Sequence, residues 1–169
     1  MYGRERLVWG AALAVRVAWL ANRVFLLAVA AGLAATWVFP AWFAVVLIDA
    51  HAPGAMSGIR LLMVIGIVMA VATDRLLVAL AQIIATARAG DPFIGANARR
   101  LRTTGWALLM LQLLDIPCAL LARFEPNLGS AAPSGAISVG GWIAVLMVFI
   151  LSRVFAAGSL MRDELAGTV

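Results

Sequence analysis

A chain of 169 residues that is 64% apolar and only 12% charged has room for one domain and too few polar side chains to face water on all sides. Its net charge of +5 rests on arginine alone, gathered in short clusters beside apolar runs. That excludes a basic domain with interleaved stacking aromatics for nucleic acid and makes lipid headgroups the natural counter-ions.

From the N-terminus, Leu7 to Asn22 mixes Trp9, Val15 and Trp19 with Arg16 and is followed by Arg23. This suits a helix lying in the headgroup layer or, alternatively, a forward extension of the first span. Arg4, Arg6, Arg16 and Arg23 precede no short hydrophobic region with a small-residue cleavage site, so the first apolar helix is expected to stay as an anchor. The uncharged run at residues 24–48 is the strongest span. At about 1.5 Å per residue it covers a hydrocarbon core of about 30 Å, with Pro40 as an expected packing kink.

The second span is read at 61–87, apolar apart from Asp74, Arg75 and Gln82. The third covers about 103–122 and contains Gln112, Asp115, Pro117 and the single cysteine, Cys118. Alone in an apolar run, that thiol can form no internal disulfide and reads as a packing residue. The fourth, about 136–152, is the shortest. The apolar residues Val154, Phe155, Leu160, Met161 and Leu165 continue near helical spacing, so an extension of the helix beyond the span is expected. The stretches between spans, with His51, Pro53 and Gly54 in one and Pro126, Gly129 and Pro133 in the other, read as turns. Gly32, Gly66, Gly140 and Gly141 are spaced for close helix approach. The expected fold is therefore all-α, an integral membrane four-helix bundle forming one domain over residues 1–169.

With four spans, Arg4, Arg6, Arg16, Arg23, Arg88, Arg99, Arg100, Arg102, Arg153 and Arg162 fall on one side, and Arg60 and Arg123 on the other. The positive-inside rule puts the first set, and both termini, in the cytoplasm of a bacterial inner membrane. Trp37, Trp42, Trp106 and Trp142 near span ends suit an aromatic belt.

Ionisable groups at membrane depth either find partners or serve a pathway. Counted from Arg88 and Arg102, Asp74 and Asp115 are expected about 20 Å above the intervening turn. There Arg75 could bridge them, with Gln82 and Gln112 completing an intramembrane polar seam. The seam reads as an interhelical clamp first and as an ion or proton path second. No catalytic, cofactor or metal residue is assigned: with one His and one Cys there is no cluster at metal spacing, no phosphate-cradling glycine loop and no nucleophile elbow, and His51 beside Asp49 reads as a solvated loop residue.

The most legible motif is Gly90-Asp91-Pro92-Phe93, followed by Asn97, Arg99, Arg100, Arg102, Gly105 and Trp106. Gly90 can end a helix in the left-handed conformation, Pro92 blocks its continuation, and Asp91 and Asn97 are expected to bond nearby backbone amides as turn or cap. Together with the ending Phe155, Gly158, Leu160, Glu164, Leu165, Gly167, Thr168 and Val169, this run resembles the bacterial family catalogued as domain of unknown function 2975. The resemblance spans most of the chain. It implies a small four-helix membrane protein, often encoded beside a helix-turn-helix regulator of the Cro/C1 type, and it implies no established reaction. Ile94-Gly95-Ala96 departs from the more polar residues that relatives commonly carry there.

The expected function is a non-enzymatic membrane regulator or sensor. It would bind a small cytoplasmic helix-turn-helix partner through Asp91, Pro92, Phe93, Asn97, Arg99, Arg100, Arg102, Phe155, Glu164 and Leu165, with the DNA contacts left to that partner. The same arginines also suit anionic lipid. A small, oligomeric transporter or channel using Asp74, Arg75 and Asp115, and a protein binding lipid or another hydrophobic ligand between its helices, are the alternatives.

Overall fold

A computed structural model of the protein describes residues 2–42, 55–124 and 138–166. Asp49, His51, Pro53, Gly54, Pro126, Gly129, Pro133, the last three residues and the side chain of Leu165 lie outside that set, whereas Gly58 and Arg60, expected in the turn from Asp49 to Arg60, and Arg123, expected to open the turn to Gly135, are helical. The described residues form four long helices: α1 (Tyr2–Val38), α2 (Ala55–Arg88), α3 (Gly95–Phe124) and α4 (Val139–Ala166). All four are long and apolar enough to cross a membrane, in the stretches Trp9–Val38, Met56–Arg88, Gly95–Leu121 and Val139–Glu164.

At the N-terminal end of the first helix the second of the two sequence readings, a forward extension of the span, is the one found. Leu7 to Asn22 does not form a separate interfacial element but runs unbroken into the span. Few residues in this stretch disfavour helix, and Arg16 and Arg23 can extend along the helix surface, so no breaker separates the two parts. At the other end α1 stops at Val38, before Pro40, whose missing N–H cannot continue the ladder. The chain is helical again from Pro40 to Trp42, so the proline stands at a break in the helix, and residues 43–48 of the expected span lie outside the described residues. Pro117, by contrast, is accommodated inside α3, and α4 continues through the expected extension to Ala166.

Among the described residues, substantial packing joins helices consecutive in sequence, α1 on α2, α2 on α3 and α3 on α4. Among those residues the four expected helices thus stand side by side in chain order. The reason lies in where side chains can interlock. α2 buries Ile65, Ala70, Ala72, Leu77 and Ala79, and α3 buries Leu101 and Ala107, whereas α1 and α4 keep wide faces of Leu, Val, Ile, Trp and Met uncovered. In lipid such faces carry no penalty.

Register follows from paired contacts. Trp9 faces Arg88, Arg23 faces Asp74 and Thr36 faces Arg60, an antiparallel pairing in which each step along α1 matches a step back along α2. Gly32 against Met63 and Gly66 against Val29 lie on the same register, so these two expected sites of close approach are both used. Thr86 with Asn97 and Gln82 with Arg100 fix α2 against α3, and Gly105 against Phe149 fixes α3 against α4.

These registers bring the arginines to two levels. Arg60 and Arg123 stand at one, while Arg16, Arg99, Arg100, Arg102 and Arg153 gather around the height of Gln82. From Arg60 to Gln82 is about 33 Å along α2 at about 1.5 Å per residue, which matches a hydrocarbon core of about 30 Å. Trp19 and Trp106 lie one turn inside the crowded level and Trp37 beside the sparse one, where an aromatic belt belongs.

Candidate functional site: the turn between the second and third helices

Helix α2 ends in a Schellman arrangement. Gly90 takes a left-handed φ of 83° and donates its N–H to the Ala87 carbonyl at 3.2 Å, while Asp91 N–H reaches the Thr86 carbonyl at 3.1 Å. Pro92 then cannot re-enter the helix, and the chain turns into α3 at Gly95. Gly90 and Pro92 act as expected; Asp91 does not. Its carboxylate accepts a charge-assisted hydrogen bond from Arg162 Nη1 at 2.6 Å, tying the turn to the far end of α4.

Asn97 is the hub. It is fully buried, and its Nδ2 donates to Thr86 Oγ1 at 2.7 Å and to the Pro92 carbonyl at 2.8 Å. Its Oδ1 accepts from Arg100 Nη1 at 2.8 Å, and Arg100 Nε donates to Gln82 Oε1 at 2.9 Å. Asn97 is thus not the α3 cap that the sequence suggested. It sits in the first turn of that helix and reaches back to hold the preceding turn and the last turns of α2, so every polar atom of its amide is engaged.

An aromatic contact joins this turn to α4. Phe93 stacks on Phe155 with ring centroids 5.0 Å apart, and Gly158 leaves the space into which the Phe93 ring fits. The stack and the Asp91–Arg162 pair make the turn and the α4 extension one surface. Phe93 and Met161 remain exposed there beside the charged Asp91 and Arg162, with Asp163 and Glu164 following in the chain, whereas Leu160 points to the groove between α3 and α4. Of the residues proposed from sequence for this face, Arg99 and Arg102 are exposed on α3 toward α4, whereas Arg100 is turned toward α2.

The predicted intramembrane seam is taken apart. Asp74 pairs with Arg23 of α1, Nε to Oδ1 at 2.8 Å and Nη2 to Oδ2 at 3.3 Å, in a bidentate bridge beside Trp19. Arg75, about 100° further round the helix, is exposed on the opposite flank and makes no ion pair among the described residues. Gln82 serves the turn network, and Gln112 donates to the Ser138 carbonyl at 3.1 Å. Asp115 is half-buried and about 10 Å nearer the Arg60 level than Asp74. The sequence estimate had set Arg88 level with Arg102. In fact α3 begins at Gly95, so its first two turns run beside the last turns of α2 and carry Asp115 correspondingly higher.

Arg23 was the partner sequence reasoning missed. Sequence places it among the basic flanks, and the signal for it is the alternative reading of Leu7 to Asn22 as a forward extension of the first span. Asn22 Nδ2 donates to the Ala70 carbonyl at 2.9 Å, and Arg60 donates to Thr36 Oγ1 at 3.2 Å and to the Thr36 carbonyl at 2.9 Å, further polar contacts of α1 with α2. Among the described residues no three His, Cys, Asp or Glu side chains converge on a point.

No curated protein and no solved structure matches the chain. A family model does match, over residues 74–169, which takes in the Asp74 half of α2, the turn, α3 and all of α4. The chain belongs to the family described as protein of unknown function (DUF2975).

Proposed function

We propose that this multi-pass protein is a non-enzymatic regulator or sensor of the bacterial inner membrane. Its α2–α3 turn and α4 extension together hold a small cytoplasmic helix-turn-helix protein. The observation that carries the reading is the junction of two segments distant in sequence, Phe93 on Phe155 and Asp91 with Arg162, into one face with exposed apolar side chains beside charged ones. The choice of partner rests on the gene neighbourhood common in the family it resembles. Any DNA contacts belong to that partner.

Orientation follows from the arginine levels. The crowded level, with the turn and the α4 extension beyond it, is cytoplasmic by the positive-inside rule, and so are both termini. The engagement of Asp74 by Arg23, and of Gln82 by Arg100, favours structural clamps over a transport path.

The test is co-purification of the full-length protein in mild detergent with the helix-turn-helix regulator encoded beside it. Wild type retains the regulator, and Phe93→Glu or Arg162→Glu releases it while the helical content of the membrane protein is unchanged. No association in wild type, or association indifferent to both substitutions, refutes the reading. For orientation, Gly95→Cys and Asp163→Cys in a Cys118→Ala background are labelled by a membrane-impermeant maleimide only after cells are opened; labelling of either in intact cells overturns the assignment.

A further inference from the structure

Between α3 and α4, on the side of the turn away from Asn97, lies a half-open groove of about 380 Å³, at the small end of the range for small-molecule sites. Arg99 and Arg102, one turn apart on α3, supply one wall and Arg153 of α4 faces them. Gly95, Ser152 and Ser159 keep the helices close at its floor, and no acidic residue lines it. Ser152 Oγ donates to the Phe149 carbonyl at 2.8 Å and Ser159 Oγ to the Ala156 carbonyl at 2.9 Å. The hydroxyl hydrogens are therefore engaged within the helix, and the guanidinium groups are the donors offered to an occupant.

Neighbouring arginines are engaged elsewhere, Arg100 by Gln82 and Asn97 and Arg162 by Asp91, so the three that converge here are a distinct set. Three like charges around one space repel one another unless an anion sits among them. The planar forks of arginine match phosphate oxygens in particular. The groove also lies at the crowded arginine level, one turn below exposed Trp106, which packs edge-on against Phe149 with centroids 5.5 Å apart. Lipid phosphates occupy that height, next to the aromatic belt.

The geometry points to a phosphate-binding site formed by Arg99, Arg102 and Arg153, filled either by the headgroup of an anionic phospholipid or by a soluble phosphate. It stands apart from the Phe93 face and does not depend on a protein partner there.

The test uses the full-length protein in mild detergent. In one arm dioleoyl phosphatidylglycerol or dioleoyl phosphatidylcholine is titrated and bound lipid is counted by native mass spectrometry. In the other, the melting temperature is followed in sodium phosphate against sodium chloride at equal ionic strength. Arg102→Gln/Arg153→Gln is compared with the charge-matched control Arg16→Gln/Arg75→Gln. At about 1 kcal/mol per arginine near an anionic surface, the first pair weakens phosphatidylglycerol binding on the order of thirtyfold and the control by less than about twofold. Thermal stabilisation by phosphate that disappears in Arg102→Gln/Arg153→Gln, without a preference for phosphatidylglycerol, assigns the site to a soluble phosphate. Equal losses in the two double variants, or no loss in either arm, overturn the proposal. Should the double variant fail to fold, Arg99→Gln carries the same comparison.

Discussion

Replacing Asn97 by alanine tests whether the turn is held by side-chain hydrogen bonds or only by the packing of the helices it joins. The substitution removes the donors to Thr86 Oγ1 and the Pro92 carbonyl and the acceptor for Arg100, all within 2.7–2.8 Å. Thr86 keeps its own bond to the Ile83 carbonyl and Arg100 keeps Gln82 and water, so the group left without a partner is the Pro92 carbonyl. Two neutral bonds at about 1 kcal/mol each and one to a partly exposed guanidinium at about 1 kcal/mol give a loss of about 3 kcal/mol. That is on the order of a hundredfold in the unfolding equilibrium. The measurement is equilibrium unfolding in mixed micelles together with hydrogen exchange at residues 86–97. Exchange at the Gly90 and Asp91 amides is expected to accelerate with the global loss of stability, and Asn97→Asp, which keeps only the acceptor, falls nearly as far. A loss below about 0.5 kcal/mol, the range of an ordinary surface change, refutes the hub and leaves packing as the sole cause of the turn.

Gly105 allows α3 to approach Phe149: a Cβ there would stand 3.1 Å from the ring, whereas one at Gly10 meets nothing. Gly105→Leu is expected to cost about 1–3 kcal/mol by wedging α3 from α4, and Gly10→Leu to change stability by less than about 0.5 kcal/mol, both read by thermal unfolding. Asp74→Asn leaves Arg23 without its carboxylate inside the apolar band and is expected to destabilise by about 1–2 kcal/mol, with Arg23→Gln in the same chain recovering much of the loss in a double-mutant cycle. Phe155→Ala removes the partner of Phe93 and is expected to cost about 3 kcal/mol or less, since Phe93 is itself half-exposed, while exchange at residues 91–94 accelerates more than at the Arg23–Asp74 contact.

Much of the helical content could be read from composition, because four long apolar stretches with arginine between them have few other solutions in lipid. The helix stop at Gly90 was legible for a local reason: glycine followed by Asp-Pro restricts the backbone wherever it occurs, and the φ of 83° follows. What could not be read was partnership. Asp74 had Arg75 as its neighbour in sequence and Asp115 as its apparent equal in depth, yet Arg23 holds it. Adjacent helical positions diverge, and depth depends on where α3 begins, which the periodicity of an apolar run leaves undefined by two turns. The same uncertainty hid the split among Arg99, Arg100 and Arg102. Their spacing puts Arg100 on a different flank from the other two, but which flank meets α2 and which meets α4 is decided by tertiary packing.

The row of helices has a consequence for assembly. Since each helix rests on the one made just before it, all three hairpins can form as the polypeptide is threaded into the bilayer, with no early segment waiting for a late one. Cohesion then resembles that of a short repeat array, roughly additive over three successive junctions. Removing α1 deletes one junction and leaves the two that hold the family-matched turn and the α4 extension.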